Sequence, residues 1–113
     1  MSIFDLKTTE EGRTARIAFI GELDLASSKR VEEERERVER AGPEQIVLDL
    51  RGLSFMDSTG LRLITSADTR AREHGRRVTI IQGPAAVKRV FTITRLDERL
   101  DIVEDEPPAA EAG

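Results

Sequence analysis

Ile46-Val47-Leu48-Asp49-Leu50 is an almost unbroken apolar run of strand length, the pattern of a strand inside a sheet rather than at its edge. Such a strand needs neighbours, and the flanking sequence supplies them. Downstream, Ser58 to about His74 repeats Leu61, Ile64, Ala67 and Ala71 at spacings of 3, 3 and 4, the inward stripe of a helix that Gly75 terminates. Val78 to Ile81 is a further buried strand. Gly83-Pro84 then puts Pro at the first position of a helix running to about Arg95, with Val87, Val90, Phe91 and Thr94 facing inward. Leu100 to Val103 closes the sheet.

Upstream, Ala26 to Ala41 contains neither Gly nor Pro, and Val31 and Val38 give it a narrow apolar edge. Lys29/Glu33, Arg35/Glu39 and Glu36/Arg40 pair at i,i+4, and Gly42-Pro43 stops the helix. Ile3 to Thr8 and Thr14 to Ile20 flank Glu10-Glu11-Gly12, a turn-forming interval, so the first two strands are antiparallel neighbours. The order β-β-α-β-α-β-α-β defines an α/β domain. Its mixed sheet has mostly parallel central strands joined by right-handed crossovers, with helices packed on it. One domain spans 1–103, and the acidic, Pro-containing segment 104–113 is expected to be a flexible tail.

The chain has 113 residues, enough for one core, and Leu, Ile, Val and Phe account for 30 of them, above the level at which a charged chain stays disordered. With no Cys and only His74, thiolate-ligated metals, disulfides, thiol nucleophiles and His-rich metal sites are excluded, and hydrolytic triads are disfavoured. No enzymatic activity, metal or cofactor is expected. Four of the 22 acidic residues lie in 104–113, leaving 18 acidic against 18 basic residues before it, so no basic field points to nucleic acid. Apolar runs are too short to span or insert into a membrane, and no basic segment leads an apolar core at the N-terminus, so a cytoplasmic location is expected.

The stretch with most chemical content is Leu53-Ser54-Phe55-Met56-Asp57-Ser58-Thr59-Gly60-Leu61, which joins the central strand to the second helix. Free N–H groups and the helix dipole at such a junction favour an anion or a phosphorylated hydroxyl. The same residues also fit a purely structural role, with Asp57 or Ser58 capping the helix for about 1 kcal/mol and Gly60 permitting close packing.

Phe55-Met56-Asp57-Ser58-Thr59-Gly60-Leu61 resembles the phosphoacceptor motif of the STAS domain family, specifically the bacterial anti-sigma factor antagonists. Gly21-Glu22-Leu23-Asp24 and Pro84-Ala85-Ala86-Val87-Lys88-Arg89-Val90-Phe91 match in order, so the resemblance covers roughly residues 3 to 103. It implies partner switching. The unphosphorylated antagonist binds an anti-sigma factor, itself an ATP-dependent serine kinase, and frees a sigma factor. Phosphorylation ends that binding, and a serine phosphatase restores it. By resemblance Ser58 is the phosphoacceptor, and Asp24, Asp57, Ser58, Thr59, Gly60 and Arg62 meet the partner. The family also includes subunits of lipid-transport ATPase complexes, and a nucleotide- or small-ligand-binding sensor is a further alternative.

Other features carry bland readings beside functional ones. Thr59 is a second hydroxyl for modification or partner contact, or a local hydrogen-bonding group in the first helical turn. Arg62, one turn beyond Ser58, would pair with a phosphate or partner carboxylates, or remain solvated. Glu22 and Asp24 lack the nucleophile or metal motif of an acid–base site. Arg70, Arg72, Arg76 and Arg77 sit where a helix C-terminus favours cations.

Overall fold

The computed structural model describes residues 3–104. Five strands, β1 (Phe4–Glu11), β2 (Thr14–Leu23), β3 (Gln45–Met56), β4 (Arg77–Ile81) and β5 (Ile102–Val103), form one sheet in the order β1-β2-β3-β4-β5. β1 is antiparallel to β2 and the remaining neighbours are parallel, so the mixed sheet and the alternation read from the sequence are both present. The helices are α1 (Ser28–Arg40), α2 (Ser58–Glu73) and α3 (Ala85–Ile93), with short 3₁₀ turns at Leu25–Ser27 and Leu96–Glu98. Apart from Glu104, the segment expected to be a tail lies outside the described residues.

Alternation along the strands sorts their side chains onto two faces. Ile17 and Phe19 of β2, Ile46, Leu48 and Leu50 of β3, and Val78 and Ile80 of β4 meet Val31 and Val38 of α1, Ile64 and Ala71 of α2, and Val87 and Phe91 of α3 in one core. In the opposite phase, Gln45, Asp49 and Thr79 are buried polar residues. Thr14 Oγ1 donates to Gln45 Oε1 and Gln45 Nε2 donates to Thr79 Oγ1, each at 3.3 Å, a polar ladder across β2, β3 and β4. Asp49 accepts from Arg16 at 2.9 Å and from Arg51 at 3.0 and 2.9 Å. Burial pushes the Asp49 carboxyl up, but the bonds from Arg51 and the charge of Arg16 outweigh it and hold the group below the usual carboxylate range.

Several boundaries differ from the sequence reading. Glu11 pairs with Thr14, so Glu10 and Glu11 belong to β1 and the hairpin turn is only Gly12-Arg13. A 3₁₀ turn precedes α1, which therefore starts at Ser28 rather than Ala26. On α2 the fully buried positions are Gly60, Ile64, Asp68 and Ala71, while Leu61 and Ala67 are half-buried. Pro84 caps α3 from outside the helix. Thr94, expected inward, is exposed, and its hydroxyl donates to the Val90 carbonyl at 2.7 Å. Arg95 then adopts a left-handed backbone (φ 62°) and redirects the chain into the Leu96–Glu98 turn.

The difference that shapes the site is the length of β3. It runs 12 residues, continuing past Leu50 into the stretch from Leu53 onward that the sequence reading gives as the junction with the second helix. Leu53 and Met56 are buried there, pairing with Gly21 and Leu23 of β2 through two register shifts. Gly21 has φ +95°, and a Cβ at that position would lie 2.2 Å from the Ile3 carbonyl oxygen. Glu22 N–H donates to the same carbonyl at 2.8 Å. The chain entering β1 is thereby held against the end of β2, on the side away from β3.

Candidate functional site

Leaving β3 at Met56, the chain turns at Asp57, whose N–H donates to the Leu23 carbonyl at 3.3 Å. Asp57 is extended (φ −104°, ψ −169°), and its Oδ1 accepts from the N–H groups of Thr59 at 2.9 Å and Gly60 at 3.0 Å. That is the geometry of a side-chain N-cap, and it satisfies two of the free donors of α2. The capping role falls to Asp57 and not to Ser58. Ser58 is the first helical residue and is exposed, and its hydroxyl makes no hydrogen bond among the described residues. Thr59, half-buried, takes part in the local bonding through its N–H rather than its hydroxyl.

Gly60 fixes how close this turn lies to the sheet. A Cβ there would stand 2.6 Å from Met56 Cγ and 2.7 Å from the Leu23 carbonyl oxygen. Asp24 follows directly after Leu23, so the β2–β3 pairing brings it to the same end of the sheet as Ser58. There Asp24 opens the first 3₁₀ turn, where the buried Ser27 hydroxyl lies 3.0 Å from the Glu22 carbonyl and 3.2 Å from Asp24 Oδ1. Two large apolar side chains at this end face solvent, Leu25 (75 % exposed) and Phe55 (47 %).

Arg62 lines a cleft of about 340 Å³ together with Ser58. One wall is α2, with Leu61, Thr65 and Asp68, and the other is the segment carrying Leu96, Arg99 and Leu100. Asp68 is only 6 % exposed and accepts from Arg72 Nε at 2.9 Å. Among the described residues neither Arg62 nor Arg99 has a carboxylate within ion-pair distance. Sequence reasoning missed Asp68 and Arg99. The i,i+4 spacing of Asp68 and Arg72 is a usable signal for the first, whereas Arg99 depends on a turn with no local signature.

The basic cluster resolves mainly into internal contacts. Arg70 donates to Glu39 at 3.0 Å, Arg72 to Asp68, and Arg76 to the carbonyls of Pro43 and Glu39 at 2.9 and 3.1 Å. Burial pushes the Glu39 carboxyl up, yet hydrogen bonds from Arg70 and Arg35 prevail and keep it below its ordinary value. Among the described residues no group of His, Asp or Glu is arranged to hold a metal, and no helix is long and apolar enough to cross a membrane.

Known proteins are similar to this chain in sequence and in fold. The anti-sigma-B factor antagonist of Staphylococcus aureus is 26% identical over 100 residues, covering 88% of this chain and 93% of its own. The crystal structure of an anti-sigma factor antagonist from Mycobacterium paratuberculosis superposes with a TM-score of 0.78 at 20% identity, over 91% of this chain and 87% of that one. The Bacillus cell fate determinant SpoIIAA, solved in its phosphorylated form, gives a TM-score of 0.68 at 20% identity, over 91% and 93%. The STAS domain model matches residues 5–109, from the first strand past the last, and on that match the chain belongs to the STAS domain family.

Proposed function

We propose that this protein is an anti-sigma factor antagonist that binds an anti-sigma factor serine kinase when unphosphorylated and is switched off by phosphorylation of Ser58. One observation carries the reading. Asp57 caps α2, which leaves the adjacent Ser58 hydroxyl exposed and without an internal partner. The role of the Staphylococcus aureus relative supports it, as does the phosphorylated state of the Bacillus neighbour. Asp24, Asp57, Thr59, Gly60 and Arg62 surround Ser58 in the proposed partner surface, and exposed Leu25 and Phe55 give that surface apolar anchors.

In the modification, Ser58 Oγ bonds to the γ-phosphorus of ATP held by the kinase, the bond to ADP breaks, and the hydroxyl proton leaves to a base on the kinase. A serine phosphatase reverses it by hydrolysis. The phosphate adds a charge of about −1.5 to −2 at neutral pH, whereas an exposed helix N-terminus returns only about 0.3–1 kcal/mol. Little change in the fold follows. At a closed interface, burying that dianion beside Asp57 costs several kcal/mol, and every ~1.4 kcal/mol lowers affinity tenfold.

The test is affinity capture from native cell extract with wild type and Ser58→Glu as paired baits, followed by incubation of the captured kinase with labelled ATP. Wild type should retain a small ATP-binding kinase that the Glu variant loses, and label should enter wild type but not Ser58→Ala. Equal retention by both baits, or equal labelling of Ser58→Ala, would overturn the reading.

A further inference from the structure

We infer that the cleft between α2 and the segment 96–100 receives the phosphoryl group of modified Ser58, with Arg62 and Arg99 closing on it from opposite walls. The inference deepens the reading of Ser58 as phosphoacceptor and rests on it. Three observations carry it. Ser58, Arg62 and Arg99 line the same cleft of about 340 Å³. Ser58 and Arg62 are four residues apart on α2, which puts their Cβ atoms about 6 Å apart on one face, within reach of a guanidinium for a phosphate on the serine. Finally, the carboxylate built into the cleft, Asp68, is already bonded to Arg72, so neither Arg62 nor Arg99 is neutralised by an ion pair among the described residues.

The chemistry of the walls suits a phosphate monoester. A guanidinium offers planar, paired N–H donors that match two phosphate oxygens at once. The acidic groups nearby are Asp57, whose Oδ1 is turned onto the N–H groups of Thr59 and Gly60, Asp68, bonded to Arg72, and Asp24 in the neighbouring 3₁₀ turn. Two guanidiniums and the start of α2 therefore face the phosphoryl group against carboxylates that are held by other donors. Seating it there ties the segment 96–100 to α2, so the modification is sensed on both walls of the cleft and not at Ser58 alone.

The test uses the full chain with phosphoserine installed at position 58 during translation, so that no kinase is needed. The ³¹P shift is followed against pH in five proteins, wild type, Arg62→Ala, Arg99→Ala, Arg99→Gln and Arg89→Ala, the last an exposed residue of α3 as the control. The second phosphate ionisation in wild type should lie below the ordinary value of about 6. Arg62→Ala and Arg99→Ala should each raise it by about one unit, while Arg89→Ala leaves it in place. Arg99→Gln, which keeps most of the side-chain stem, should behave as Arg99→Ala and separates loss of charge from loss of packing. Titration of Arg99→Ala and Arg99→Gln indistinguishable from wild type overturns the inference, as does a wild-type phosphoserine that titrates like one in an unstructured peptide. Failure here leaves the antagonist reading standing, and a Ser58 that no kinase modifies leaves the titration itself intact.

Discussion

The Leu23 carbonyl oxygen lies 2.7 Å from the point where a Cβ on Gly60 would stand, and Leu23 Cγ lies 2.9 Å from it. The end of β2 and the first turn of α2 therefore touch backbone to backbone. A methyl group there has to push the helix start away from the sheet. Gly60→Ala should destabilise the domain even though Ala favours a helix by about 1 kcal/mol, because overpacking costs about 1–3 kcal/mol. A net loss of about 1 kcal/mol lowers the melting temperature by about 4–8 °C in a domain of this size, measurable by calorimetry. A melting temperature equal to or above wild type would show that the contact yields.

Asp57 and Ser58 are neighbours with separate duties, and their alanine variants should separate them. Asp57→Ala removes the acceptor for two N–H groups and should cost about 1 kcal/mol in urea unfolding, with Asp57→Asn retaining most of the cap. Ser58→Ala and Ser58→Glu should both unfold within about 0.5 kcal/mol of wild type, as expected for an exposed site without internal bonds. A large loss of stability in Ser58→Ala would assign the serine a structural duty.

With Asp5, Glu39 and Asp49, Glu34 is one of the carboxylates that contribute to the acid limb of stability. Hydrogen bonds from Arg37, opposed by partial burial and assisted by Thr8, lower its carboxyl from 4.5 to about 2. Because the folded value lies below the unfolded one, the contribution is complete above about pH 4.5 and is lost as pH falls towards 2. Solvent screening of the half-exposed Arg37 limits it to about 1 kcal/mol. Glu34→Gln should accordingly flatten the stability profile between those limits, and an unchanged slope would remove Glu34 from the account.

Arg95 holds the left-handed backbone that starts the Leu96–Glu98 turn. That conformation costs a residue with a Cβ about 1–2 kcal/mol, which glycine avoids at some expense in unfolded-chain entropy. Arg95→Gly should be neutral or stabilising by up to about 1 kcal/mol, and a clear loss would show that the guanidinium has a contact of its own.

The order of the elements was legible because the buried strands are short apolar runs, Ile46–Leu50 and Val78–Ile81, set apart by segments of helical period. The hairpin was legible from Gly12, and the end of α1 from Gly42-Pro43. The far half of β3 was not. Arg51, Gly52 and Ser54 break its apolar pattern, and only the extension of β2 beside it, with its register shifts, keeps those residues in a strand. Asp68 reads as a surface charge until Arg72 is seen to bond it beside the core. At the site, the junction and its hydroxyls stood out in the sequence, whereas the division of labour between Asp57 and Ser58 needed coordinates. Arg99 was out of reach, since a non-glycine residue in a left-handed turn gives no sign of where the chain goes next.

Because each strand lies beside the one before it in the chain, a ribosome delivers this sheet in its order of assembly. When β3 emerges, β2 is already waiting, and the Leu23 carbonyl that receives Asp57 is in place before α2 is made. The strand ends that support the turn bearing Ser58 thus precede Arg99 in synthesis by some forty residues. Of the two walls of the cleft, the one that carries the serine is made first, and Arg99 is the last of its lining side chains but one to leave the ribosome.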